Sequence, residues 1–164
     1  MIIKDVIYQK HRYWMNRALE MAQNAGEKGE VPVGCVIIDG QNNLVAEAQN
    51  RRERDKDPTA HAEILALRQA GQILNTWHLN DCTLYVTLEP CPMCAGAIIL
   101  SRLGLLVYAV DDLKTGSIRS VANLPDSIAS NHSLPVIAGI LETPCRHQLQ
   151  TWFSRRRPKY QSQD

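Results

Sequence analysis

The stretch Pro90-Cys91-Pro92-Met93-Cys94 constrains this chain more than any other. Two thiols three residues apart at the start of a helix share one face and can grip a single metal ion. His61 offers a third ligand, and Glu63 follows it closely. Three protein ligands leave the fourth position of a tetrahedral zinc open, which is the arrangement of a catalytic rather than a structural site. The fold must therefore carry His61 and Glu63 to the cysteine pair. The other cysteines, Cys35, Cys82 and Cys145, have no ligand spacing and read as inert thiols, buried or lightly exposed. An odd total of five argues against a disulfide framework.

Composition sets the outer limits. The 164 residues, 45% hydrophobic and 21% charged, suit one globular domain over residues 1–164 with a sizeable core. No apolar run approaches the ~18 residues of a membrane helix. Met1-Ile2-Ile3-Lys4-Asp5 turns polar too early for a secretory leader, so a cytoplasmic protein is expected. The net charge of +1 argues neither for nor against a nucleic-acid partner.

Helical and strand patterns alternate along the chain. Trp14, Ala18, Met21, Ala22 and Ala25 form one apolar stripe in a helix over about 6–28. Residues 33–39 read as a buried strand and 44–50 as its hairpin partner, joined through the turn residues Asp39 to Asn43. The charge run 51–57 reads as a solvated loop, with contact between its three arginines and an anionic ligand as the alternative. Asp57-Pro58 looks like the N-cap and first position of a helix that Gly71 ends. That assignment puts His61 and Glu63 about 200° apart on the helix, so they converge only if the site lies over its N-terminus. Further strands are expected at 83–88, 105–110 and 136–140, with a helix over 92–102 in which Met93, Ala97, Ile98 and Leu100 supply apolar surface. Residues 111–135 form a long irregular segment, a length that in compact domains usually marks function. Thr143-Pro144 caps a last helix with Leu149, Trp152 and Phe153 inward, and a basic tail starts at about 155. The pattern predicts an α/β fold, a three-layer α/β/α sandwich around a five-stranded mixed sheet.

Zinc on His61, Cys91 and Cys94 would lower the pKa of a bound water to about 7. Glu63 is then free to take the proton and return it as a general acid. Such a pair suits attack on an electron-poor carbon with loss of an amine. The metalloprotease signature of two histidines four apart on a helix is absent. A structural zinc completed by His78 or Cys82 is the plainer alternative.

His61-Ala62-Glu63 followed by Pro90-Cys91-Pro92-Met93-Cys94 is the H-x-E and P-C-x-x-C signature of the zinc-dependent nucleobase deaminases, which this chain resembles. The stretches 30–34, 57–63, 84–91, 95–97, 114–116, 131–132 and 153–157 are similar to the bacterial tRNA-specific adenosine deaminases, and the similarity covers about residues 10–158. The resemblance implies a cytidine deaminase-like fold, one zinc per subunit, deamination of adenosine to inosine at the wobble position of a tRNA anticodon, and a homodimer that meets the RNA with both subunits. It assigns zinc ligation to His61, Cys91 and Cys94 and the proton shuttle to Glu63. It implies that Asn50 hydrogen-bonds the purine, that Asp112 lies near the target ribose, and that Ala62 and the Cys91 N–H line the substrate site. Lys114 and Arg155 to Arg157 are implied phosphate contacts. Asp111 departs from the family, which commonly carries arginine there, and is expected to weaken the pull on phosphate. Trp152 replaces an expected phenylalanine. Deamination of a free base such as guanine or cytosine is the competing reading. A zinc-bearing scaffold without activity is a third, against which Glu63 stands.

Overall fold

The computed structural model describes residues 2–156, with side chains from Lys4 onward; the predicted basic tail beyond 156, Arg157 included, lies outside the described residues. The chain runs α1 (Ile2–Glu27), β1 (Gly34–Ile38), β2 (Leu44–Gln49), α2 (Arg52–Asp55), α3 (Ala62–Leu74), β3 (Thr83–Leu88), α4 (Pro92–Leu100), β4 (Leu105–Val110), β5 (Val136–Ala138) and α5 (Glu142–Ser154). The strands form one mixed sheet in the order β2-β1-β3-β4-β5. β1 is antiparallel to both β2 and β3, whereas β3, β4 and β5 run parallel. This is the expected three-layer sandwich.

Alternation along the central strands decides which helix each residue meets. In β3, Leu84 and Val86 face the layer of α3 and α4, where they pack with Ala62, Ala66, Ala95 and Ile98. Tyr85 points the other way and joins Trp14, Met15, Ala18 and Cys145 of α1 and α5. Burying a side chain such as Leu84 or Leu106 fully contributes about 1.5–3 kcal/mol. α1 lies against the backbone of β1. A Cβ on Gly34 would stand 2.0 Å from the Ala18 carbonyl oxygen, so glycine is required by the close approach.

His11 and Tyr85 form a buried polar pair beneath α1, with the hydroxyl 3.0 Å from Nδ1. Burial pushes the tyrosine pKa up and, with help from Lys10, the histidine pKa down. Both shifts favour the neutral form in the fold. The unfolded histidine takes up its proton near pH 6.5, before the folded one does. Stability that is present above about pH 6.5 is therefore lost as the pH falls towards the lower folded pKa. The melting temperature should drop across this window in the wild type and drop less in His11→Gln. Parallel curves for the two proteins would remove His11 as the cause.

Several boundaries differ from expectation. The charge run is solvated as expected but is not all loop: residues 52–55 form the short helix α2, and the buried Glu30 carboxylate accepts N–H bonds from Glu53 (3.1 Å) and Arg54 (2.8 Å) at its start. α3 begins at Ala62 rather than Pro58 and passes through Gly71 to an αL cap at Asn75. The buried face of α4 is Cys94, Ala95, Ile98 and Ile99, while Met93 and Leu100 are exposed. An inward Cys94 fixes that rotation. α5 starts at Glu142 behind Leu141 rather than at Thr143-Pro144, and Phe153 is exposed rather than inward. Trp152 docks α5 instead, donating its indole N–H to the Gly26 carbonyl at 3.2 Å.

Candidate active site

His61 is the N-cap of α3 and Cys91 the N-cap of α4, each with extended backbone. Neither side chain caps its own helix, so both are free to reach outward. This resolves the 200° conflict: His61 stands before the helix, and only Glu63 lies in its first turn. Pro92 at the first position of α4 suits a helix start, where its missing N–H costs nothing. Cys94 sits one turn further on, fully buried.

His61, Cys91 and Cys94 place their ligand atoms within 4.8 Å of one another. His61 Nδ1 lies 3.6 Å from Cys91 Sγ and 3.5 Å from Cys94 Sγ. Zinc–sulfur bonds of about 2.3 Å and zinc–nitrogen bonds of about 2.0–2.1 Å at a tetrahedral angle set N···S separations of about 3.6 Å. One nitrogen and two sulfurs are also a donor set suited to zinc. The residues fit the ion. His78, exposed and stacked on Trp77, and the buried Cys82 do not belong to this group.

The cluster is polarised. The hydrogen bond from Cys94, opposed by burial and aided by His61, pushes Cys91 down to about 4. The same bond with Cys91, then burial and Glu63, drives Cys94 upward. His61 is raised by its bond to Cys91 against burial. Glu63 is 4% exposed, and burial pushes it up to about 7. A carboxyl in that range can both accept and donate a proton near neutral pH.

A cavity of about 130 Å³ opens onto the cluster. His61, Ala62, Glu63 and Cys91 line it together with Asn50, Val33, Asp112 and Thr115. Asn50 Nδ2 donates to the Val31 carbonyl at 3.3 Å, while its buried Oδ1 has no partner. Asn50 lines the cavity, so an acceptor that the fold leaves unsatisfied sits in its wall. The Asp112 carboxylate accepts bonds from the N–H groups of Lys114 (2.9 Å) and Thr115 (3.2 Å) and from the Thr115 hydroxyl (2.7 Å). The structure thus brings Asn50, Ala62 and Asp112 to the cavity. Lys114 is exposed and does not line it. Arg52, one of the three arginines the sequence offered to an anionic ligand, also lines the cavity, as do Thr115 and Glu89, to which sequence reasoning gave no role. Glu89 carried a usable signal, an acid closing the apolar strand Thr83–Leu88 directly before the cysteine motif.

Asp111 is held by the Tyr108 hydroxyl at 2.9 Å and by Arg119 at 3.0 Å. The guanidinium also lies 5.6 Å from the Tyr108 ring centre. Arg119 thus offsets the acid where the sequence suggested repulsion towards phosphate.

A three-ligand zinc group with a buried carboxylate beside an open cavity defines a metal-dependent hydrolytic enzyme. The cytidine and deoxycytidylate deaminase zinc-binding region matches residues 8–110. The chain is 46% identical to the tRNA-specific adenosine deaminase of Haemophilus influenzae, over 87% of this chain and 83% of that one. It is 44% identical to the tRNA-specific adenosine deaminase of Bacillus subtilis, over 89% and 90%. A solved structure from work on A-to-I editing by tRNA:A34 deaminases superposes with a TM-score of 0.81 at 37% identity, covering 84% of this chain and 99% of that chain. The chain belongs to the cytidine and deoxycytidylate deaminase family, on the branch of the tRNA-specific adenosine deaminases.

Proposed function

We propose that this chain, as a single deaminase domain, hydrolyses adenosine to inosine at the wobble position of a tRNA anticodon. The observation that carries the reading is the His61–Cys91–Cys94 group beside a buried Glu63, in a chain 46% identical to a tRNA-specific adenosine deaminase. Water adds its oxygen to the purine C6, the C6–N6 bond breaks, and ammonia leaves. His61, Cys91 and Cys94 would hold the zinc, which would supply the Lewis acidity for a water nucleophile at neutral pH. Glu63 takes the water proton and delivers it to the departing amine. Asn50 accepts a hydrogen bond from the purine edge through its free Oδ1. The N–H groups at the starts of α3 and α4, near Ala62 and Cys91, have no partners within their helices and face developing negative charge. An anticodon loop already presents unstacked bases, so extruding its adenosine costs little.

RNA binding draws on cations outside the cavity. Lys114, Arg155 and Arg156 are exposed and suit phosphate contacts, whereas Asp112 faces the target nucleoside from the cavity wall. The working form is a homodimer in the cytoplasm. Ile64, Leu67, Trp77 and Leu100 line an apolar groove between α3 and α4, with Trp77 62% and Leu100 68% exposed, and a second subunit would cover it. Among the described residues no helix is long and apolar enough to cross a membrane.

The test is to incubate the zinc-loaded protein with an unmodified tRNA bearing adenosine at the wobble position, and separately with adenosine, adenine, guanine and cytosine. Inosine only in the tRNA is expected, read by nuclease digestion and chromatography. Product only from a free base would sink the tRNA reading and keep the zinc chemistry. Sedimentation should give twice the chain mass, and a monomer would remove the dimer from the proposal.

A further inference from the structure

We propose that Glu89 is a positioning residue whose carboxylate holds the segment 112–120 as a wall of the substrate cavity, at a set distance from the zinc ligand Cys91. The inference rests on the deaminase reading only for what the cavity binds.

Glu89 directly follows β3 and is 2% exposed. Its Oε2 accepts the Asp112 N–H at 2.9 Å and the Ser120 hydroxyl. Its Oε1 accepts the N–H groups of Ile118 (3.2 Å), Arg119 (2.8 Å) and Ser120 (3.0 Å). The donors lie at both ends of one loop, so the carboxylate closes it from within. Gly116 lies against the carboxylate: a Cβ there would stand 2.3 Å from Oε2 and 2.5 Å from the Asp112 carbonyl oxygen. The Ser117 N–H reaches the Pro90 carbonyl at 2.9 Å, and the Glu89 N–H reaches the Val110 carbonyl at 2.8 Å.

Residues 111–135 contain no helix or strand, so their shape depends on such bonds. Charge-assisted bonds from backbone N–H groups to a buried carboxylate are strong and directional. Two members of the held segment, Asp112 and Thr115, line the cavity. Glu89 is separated from Cys91 only by Pro90, whose ring restricts the backbone. One side chain therefore couples the metal-bearing helix start to a loop that lines the same cavity. Such coupling acts on how substrate is held rather than on the metal or the proton shuttle.

The experiment uses the full zinc-loaded chain as Glu89→Gln and, separately, as Gly116→Ala. Glutamine keeps the shape but turns an NH₂ towards N–H donors. The added methyl pushes the loop off an unchanged carboxylate. Three readouts are taken: zinc content, amide hydrogen exchange, and kcat and KM on an anticodon stem-loop with wobble adenosine. Zinc should stay at the wild-type level, and exchange in β3 and β4 should be unchanged. Exchange across 112–120 should rise at least tenfold, and KM should rise at least tenfold with a smaller fall in kcat. Rescue of KM by Glu89→Asp, relative to Glu89→Gln, is expected in part because the anionic acceptor is kept. Unchanged exchange and KM in both variants would overturn the proposal. So would losses that track zinc release or global unfolding. If the wild type does not turn over the stem-loop, the functional reading falls, and the exchange data alone decide on Glu89.

Discussion

Glu63→Ala is expected to keep zinc and lose turnover by about a thousandfold or more, the upper part of the range for general acid–base catalysis. The carboxylate lies in the first turn of α3, buried, and lines the cavity with His61 and Cys91. It is not one of the three clustered ligands, so its removal leaves the zinc group intact. No other carboxylate lining the cavity is free for proton transfer. Glu89 is occupied by the loop N–H groups, and Asp112 by Lys114 and Thr115. Glu63→Gln should fail as badly as Glu63→Ala, because an amide preserves shape but cannot accept the proton. Metal analysis beside single-turnover kinetics checks this. A glutamine variant within tenfold of the wild type would reassign the proton transfer. Loss of zinc with activity would make Glu63 a structural group.

Removing the metal should abolish activity and leave the fold standing. The ligands cluster at the N-termini of α3 and α4, while the packed residues of both cores lie along the sheet. A strong chelator should therefore eliminate turnover with little change in helix and strand content, and zinc should restore it where magnesium does not. A bound ion still adds stability by mass action. With free zinc at a hundred times its Kd the folded state gains about 2.7 kcal/mol. For a chain of this length that is about 5–10 °C in Tm. Cys91→Ala and His61→Ala should behave like the chelated protein and not respond to added zinc. Unfolding of the chelated wild type would mark the site as structural. Full activity after verified zinc loss would remove metal from the chemistry.

Much of the fold and most of the site were legible because their signals are local. The strands Thr83–Leu88 and Leu105–Val110 are short apolar runs that admit one reading, and their bounds agree with expectation. The His61, Cys91 and Cys94 spacing announces a metal before any coordinates. Helix starts were harder. Asp57-Pro58 has the chemistry of a cap, yet α3 begins at Ala62. Asp57 spends its carboxylate on a local turn with Thr59, bonding that residue's N–H (2.8 Å) and hydroxyl (2.7 Å). Gly71 looked like a stop, but one glycine costs a helix only about 1 kcal/mol. Packing of Ala66 and Ala70 against the sheet outweighs that.

The sequence by itself determined the chemistry: one imidazole, two thiols and a carboxylate in an order that predicts zinc and proton transfer. It also determined the alternation of apolar runs that makes a layered α/β fold. Those properties depend on residue type and on spacing of a few positions. Only the tertiary structure decided that His61 stands outside its helix, that Cys94 turns α4, that Asn50 has a free acceptor, and that Arg119 offsets Asp111. It also decided that Glu89 grips a loop more than twenty residues away. Hydrogen bonds and burial at that range depend on where the sheet brings distant backbone together, and no local pattern of residues encodes that meeting.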